Sequence, residues 1–329
     1  MTLNQRKIFK STQDWHEFIG ANREKALTGH DLNDLRKSVY QEIEDLRGRP
    51  LLVYASKFIS PVPREASSLI TISLEDVDGF TDLVNSVDEK YRTVDVLIHS
   101  PGGSPDATER IVQILRDRFE EVHFLIPHSA YSAATMLALS GDTITLHRSA
   151  TLGPIDPQLD GIPVRSITRG FEKAKKQIQK EGPESLPAYV PLIEKYSIHL
   201  LEMCEDSEKL SRELVSNWLT KYMFKNDKRR KPTIKKAVKY FSSYDKHRLH
   251  SRPLFLEKIQ DLNLSISIAD KQLELLIWEV YILLGGFFNI SPFVKLYESN
   301  NGVSWGRQFQ QIRVNPQEVQ AISPSQPQP

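Results

Sequence analysis

The sequence predicts an α/β fold built on a parallel sheet, and three observations carry that expectation. Val94, Val96, Leu97 and Ile98 form one short continuous apolar run, and Val122, Phe124, Leu125 and Ile126 another, as in strands covered on both faces. Between them, Ala107 to Phe119 places Ile111, Val112, Ile114, Leu115 and Phe119 at helical spacing, completing a βαβ unit with a right-handed crossover. Both strands run into chemistry-bearing turns, PGGS at 101–104 and HSAYS at 128–132, and open parallel sheets gather their sites at the carboxyl ends of strands.

The elements follow in order. Residues 1–48 are expected to be helical, with Leu32, Leu35, Val39 and Ile43 at helical spacing before LLVYAS at 51–56 opens the first strand. SLITIS at 68–73 reads as a second strand, followed by a turn at Asp78–Gly79 and a helix that turns Phe80, Leu83, Val84 and Val87 inward. After the second half of the βαβ unit, the small-residue stretch SAATMLALSGD forms a helix headed by Ser132. Beyond Leu159 the strand-helix alternation gives way to helices, with long amphipathic stretches over 185–224. The expected organisation is an N-terminal helical segment (1–48), a catalytic core (49–165), a helical extension that completes the site and supplies oligomer contacts (166–310), and a polar, Pro-rich disordered tail (311–329).

Composition narrows the function classes. The 329 residues, 40% apolar and 26% charged, suffice for a large core. A formal net charge of +1 provides no global field for nucleic acid or an anionic membrane. The single cysteine, Cys204, excludes an intramolecular disulfide, and it is expected to be inert core on an apolar helix face. The start of the chain, MTLNQRKIFKSTQDWHEF, has no apolar segment of the secretory kind, so a cytoplasmic location is expected. LELLIWEVYILLGGFF at 273–288 carries Glu274 and Glu279 and falls several residues short of a spanning helix. A buried helix or oligomer contact is expected there, without stable membrane insertion. The basic run at 225–248 is broken by Pro232, and Ile234, Ala237, Val238 and Phe241 are spaced to bury one helix face. A solvated helix and linker is expected in preference to a nucleic-acid surface, despite the interleaved Tyr240 and Tyr244.

The chemistry concentrates at 101–133. Gly102 and Gly103 can adopt turns barred to other residues and present bare N–H groups, as an oxyanion hole requires. Ser132 stands at the head of the next helix, and the N–H of Ala133 lies at its positive end. Ser129 and Ser140 are rival nucleophiles, the first better placed as a cap and the second in the helix's last turn.

HSPGGS followed by SAYSAATMLALSGD resembles the active-site signature of the Clp protease/crotonase superfamily. TLGPIDPQ, the stretch around Lys195 and HRLHSRPL are similar to the serine dehydrogenase proteinase family, a relative of signal peptide peptidase A. The resemblance spans roughly residues 30–280 and is specific at 95–158. It implies a ClpP/crotonase-like sheet of ββα units with added N- and C-terminal helices, Ser132 as nucleophile, and Gly102, Gly103 and Ala133 as the oxyanion hole. Clp-type enzymes place a histidine shortly after the nucleophile helix, but TLGPIDPQLDG contains none. Signal peptide peptidase A relatives use a later lysine, and Lys195 in LIEKYSIHLLEMCE is the favoured base, on a segment where Leu192, Ile193, Tyr196, Leu200 and Met203 make an apolar face. Such a lysine must be desolvated to act as a base. Lys173, Lys175 and Lys176 are alternatives in a charge-rich stretch. Asp156 is a candidate for orienting a base or shaping the cleft, or for fixing a Pro-rich turn. His128 and His147 read as structural, and His247 with His250 as a weak metal signal lacking a third ligand. No metal or organic cofactor is expected.

The expected function is an ATP-independent serine peptidase acting on polypeptides, assembled as a homo-oligomer as its relatives are. The alternatives are a crotonase-type acyl-CoA enzyme using the same N–H donors, or a scaffold that has lost its base.

Overall fold

The structure is a computed structural model that describes residues 6–25, 27–194, 197–227 and 230–309. Two helices open the chain, α1 (Thr12–Ala21) and α2 (Gly29–Arg47). Each begins with a capping box, Ser11 with Asp14 and Thr28 with Asp31, which satisfies otherwise orphaned N–H groups. α2 stops at Gly48, whose φ of 66° suits glycine.

The sheet then forms from β1 (Leu51–Ser56), β2 (Thr93–His99) and β3 (Glu121–Ile126), with α3 (Asp76–Asn85) and α4 (Pro105–Arg118) as crossovers. The two-residue β4 (Ser129–Ala130) leads into α5 (Ala133–Leu139), β5 (Thr143–Leu146) and the short β6 (Thr151–Leu152). A small hairpin of β7 (Gln158–Leu159) and β8 (Ile162–Pro163) precedes the helices α6 (Val164–Glu181), α7 (Leu186–Ile193), α8 (Ile198–Lys221), α9 (Arg230–Phe241), α10 (Tyr244–His247) and α11 (Leu256–Ile259). The chain returns to the sheet through β9 (Ile266–Ile268), crosses it with α12 (Lys271–Ile290), and closes with β10 (Phe293–Ser299) and β11 (Ser304–Gln308).

The seven-stranded order is β11-β10-β1-β2-β3-β5-β9, parallel from β1 to β9, with β10 antiparallel to β1 and β11 antiparallel to β10. Successive side chains of a strand point to opposite faces, so a strand buried on both sides must be apolar throughout. Leu52, Tyr54, Ile98 and Phe124 accordingly pack on one face with α3, α4, α5, α8 and α9, and Leu51, Val53, Leu97 and Leu125 on the other with α1, α2 and α12. This is the mixed α/β, ClpP-like architecture that the sequence predicted.

Five expectations need correction. SLITIS is not a strand: Ile72 is buried but pairs only through an isolated bridge to Gly103. Asp78–Gly79 lies inside α3, where Gly79 lets the helix close on Tyr297, whose ring a Cβ would strike. The 166–310 segment, expected to be helical, also supplies β9, β10 and β11. α12 is longer than expected, 20 residues, which reaches spanning length by composition, and 67% of its apolar window is buried inside the fold. Met203 is 54% exposed, so the apolar face expected around Lys195 does not extend to it. The expected tail (311–329) lies outside the described residues.

Candidate active site

Ser132 stands at the N-terminus of α5 with φ 52° and ψ −123°, a conformation that costs a residue with a Cβ about 1–3 kcal/mol. Its side chain does not cap the helix, so Oγ remains uncommitted there. The strain is held by neighbours on both sides. Ser100 N–H donates to Ser129 O (3.2 Å) and Tyr131 N–H to Ser100 O (3.1 Å), lacing the segment to the end of β2. Thr135 Oγ donates to Ala130 O (2.7 Å) and accepts from Gly153 N–H (3.0 Å), and the Tyr131 hydroxyl meets Thr151 Oγ at 3.0 Å.

The PGGS turn presses against this elbow. Gly102 has φ 93°, and a Cβ there would collide with Tyr131 O and come within 2.7 Å of Ser132 Cβ and 2.8 Å of Ala133 N. Glycine is therefore required twice over at 102, by conformation and by space. A Cβ on Gly103 would strike the Ile72 backbone, because Ile72 N–H donates to Gly102 O and Ser104 N–H to Ile72 O, both at 2.8 Å. The 71–73 segment is braced in turn: Lys295 Nζ donates to Thr71 O at 2.8 Å, and Ser73 N–H donates to Asp76 at 2.8 Å.

These contacts divide the three expected oxyanion donors. Gly102 N–H donates inward to Ser100 Oγ at 3.2 Å. Among the described hydrogen bonds, the N–H groups of Gly103 and Ala133 have no acceptor, and both residues line one cavity of about 440 Å3 with Ser132. Met136, Ile155, Leu159 and Leu210 supply its apolar wall.

His250 lines the same cavity. Paired backbone bonds between Leu152 and Leu254 (3.2 and 2.8 Å) bring the segment after α10 alongside GPIDPQ. His250 Nδ1 then lies 3.1 Å from Asp156 Oδ1. The separation suits an ion pair, yet the groups are not aligned for a directed hydrogen bond, and neither oxygen of Asp156, which is 2% exposed, has another donor among the described residues. A buried carboxylate left so nearly bare works against stability. Asp156 thus falls beside the site, and His250, read from sequence only as a weak metal ligand, joins it. The signal was present in HRLHSRPL, but nothing local in sequence pairs it with residue 156.

The other candidates are dispersed. Lys195 lies outside the described residues. Lys173, Lys175 and Lys176 are exposed on α6, away from the residues lining the cavity. Ser129 is buried with Oγ 2.6 Å from His128 Nδ1, and Ser140 Oγ donates to Leu137 O at 2.6 Å. His128 stacks on Tyr281 and His147 on Trp278, both at 4.6 Å between centroids, and burial lowers the pKa of each. His247 is buried with Nε2 2.7 Å from Tyr240 O. Cys204 is buried, as expected, and desolvation raises its thiol pKa.

A mostly parallel sheet with a glycine turn and a strained serine at the carboxyl ends of adjacent strands defines a ClpP-like protein. The chain belongs to the family of ClpP-like SDH-type serine proteinases, which it matches over residues 69–283. It is also similar to two uncharacterized proteins of Methanocaldococcus jannaschii. One is 34% identical over 102 residues, covering 31% of this chain and 35% of that protein. The other is 30% identical over 110 residues, covering 33% and 37%. The chain thus spans about a third of the length of these curated relatives.

Proposed function

We propose that the protein is an ATP-independent serine peptidase that forms an acyl-enzyme on Ser132. The observation that carries this reading is the strained Ser132, aimed at a cavity beside two uncommitted N–H groups, those of Gly103 and Ala133. Strain of this kind persists only where surrounding contacts enforce it, and it gathers at functional sites. A bare hydroxyl needs a base, and His250, which lines the same cavity with Asp156 behind it, is the base we assign.

In this mechanism the His250 imidazole takes the Ser132 proton as Oγ attacks the substrate carbonyl. Asp156 holds the ring and stabilises the imidazolium, tightening its loose resting alignment as substrate fills the cavity. The Gly103 and Ala133 N–H groups receive the developing oxyanion, each worth about 3 kcal/mol of barrier. The imidazolium then protonates the leaving amine, and water repeats the sequence to release the acyl group. The apolar wall suits an apolar side chain beside the scissile bond. A crotonase-type enolate site would need the N–H pair but has no use for a strained serine.

Fluorophosphonate labelling, with the adduct located by mass spectrometry, tests the reading. Wild type and Lys195→Ala are expected to label on Ser132, Ser132→Ala to be silent, and His250→Asn to label about 100-fold more slowly. The opposite behaviour of His250→Asn and Lys195→Ala would transfer the base to Lys195. A folded wild type that does not label would overturn the peptidase reading.

A further inference from the structure

α8 is a wall between two cavities. Ser207, Leu210 and Ser211 face the catalytic one, whereas Glu208, Arg212 and Ser216 face a larger groove of about 920 Å3 between α8 and α9. Lys231, Lys235 and Lys239 recur every fourth residue of α9, so they form one exposed stripe along that groove. Lys236, out of phase with them, donates to Asp261 O at 2.7 Å.

The stripe is not neutralised. Glu208 is engaged by Arg212 (2.6 Å), and Asp245 by Arg165 and Arg169 (3.1 and 3.0 Å). Among the described residues the three lysines have no ion-pair partner, and the groove's lining carries six cations against three anions in a chain whose formal net charge is +1. Like charges at this helical spacing destabilise a helix, which an anionic occupant would offset. Beneath the stripe, Ile234 and Val238 form an apolar floor, and Ser216, Asn217 and Thr220 offer hydroxyl and amide groups from the opposite wall.

We infer that this groove binds an acidic segment of a polypeptide substrate and holds it while another part of the same chain enters the Ser132 cavity across α8. The assignment to a substrate rests on the peptidase reading; the binding itself does not. From Lys231 to Lys239 the stripe runs about 12 Å along the helix axis, the reach of about four extended residues. Alternating carboxylates and apolar side chains match the lysines and the floor, and main-chain amides match the opposite wall. A single-stranded nucleic acid would need aromatic platforms. The groove has one aromatic side chain among its lining residues, Tyr244, and the Arg169 guanidinium already lies 5.7 Å from that ring's centre.

The test uses the full chain carrying Ser132→Ala, with fluorescence anisotropy of a labelled peptide of alternating Glu and Leu. A Gln-for-Glu counterpart and an oligothymidylate of equal charge serve as comparators. The acidic peptide is expected to bind at least 10-fold tighter than either comparator, to weaken with salt, and to lose at least 10-fold on Lys231→Gln/Lys235→Gln/Lys239→Gln. Fluorophosphonate labelling of the same triple variant on a Ser132 background should match wild type, which verifies its fold. Equal binding of the acidic and Gln peptides, an unaffected triple variant, or tighter binding of the oligothymidylate would each overturn the inference. Binding without labelling of wild type would remove the peptidase reading and leave the groove; labelling without binding would do the reverse.

Discussion

Asp76 and Asp156 are both buried, 0% and 2% exposed, and their surroundings are opposites. Asp76 is saturated: Lys295 Nζ donates to its two oxygens at 2.7 and 3.0 Å, Ser73 N–H at 2.8 Å and Tyr54 OH at 3.2 Å, and the Tyr297 hydroxyl also donates. Asp156 has only the imperfectly aligned His250. Burial of a charge is tolerable when its lone pairs are filled and costly when they are not. The filled carboxylate braces the fold, and the bare one is the group to which the proposed mechanism gives the orienting of His250.

Exchanging the two carboxylates for neutral groups should separate these roles. Asp156→Asn is expected to slow acylation of Ser132 by about 100- to 10,000-fold, while leaving the urea midpoint unchanged or higher. A variant with full acylation rate would break the contrast. Asp76→Ala should do the reverse and lower the unfolding free energy by about 3–5 kcal/mol, because Lys295 would be left buried without its counter-ion. Urea titration decides it, and an unchanged midpoint would show that Asp76 is as dispensable to stability as Asp156.

The histidines sharpen the comparison through pH. Burial drives His99 down to about 3 and also lowers His123, His128, His147 and His247. A histidine neutral in the fold and protonated when unfolded contributes stability that is complete above its unfolded pKa, near 6.5, and is lost as pH falls toward its folded value. For His99 that window runs from about 6.5 to about 3. His99→Gln should flatten the acid limb of stability by up to about 1.4 kcal/mol per pH unit, seen in urea midpoints across the window. A limb of unchanged slope would mean that His99 protonates without unfolding. The smallest effect is at the elbow itself. Ser132→Gly should abolish acylation yet gain about 1 kcal/mol or less, since relief of strain is partly offset by glycine's unfolded-state entropy. A fall in melting temperature would show that the strain is not seated at residue 132.

What the sequence discloses follows how local the physics is. The βαβ unit, the glycine turn and the serine-headed helix could be read because each rests on neighbours within a turn or a strand. SLITIS misled because Ile70 and Ile72 are indeed buried, while its backbone finds only Gly103 to pair with. β10 was missed because its partner, β1, was made far earlier in the chain, and β11 joins the sheet only through β10. His250 meets Asp156 only through the Leu152–Leu254 bridge, which no periodicity announces. Lys195 was favoured through the resemblance to signal peptide peptidase A relatives, and it lies outside the described residues.

Lys295 sits on β10, near the carboxyl end of the described chain, and holds both Asp76 and the carbonyl of Thr71, next to the residue that seats Gly103. During synthesis the serine, its helix and the glycine turn all leave the ribosome well before that lysine does. On the proposed reading, the nascent chain would carry Ser132 before its glycine turn is braced, and competence to cut would arrive only with the late strand. A peptidase assembled in that order is spared from acting on its own unfinished copies.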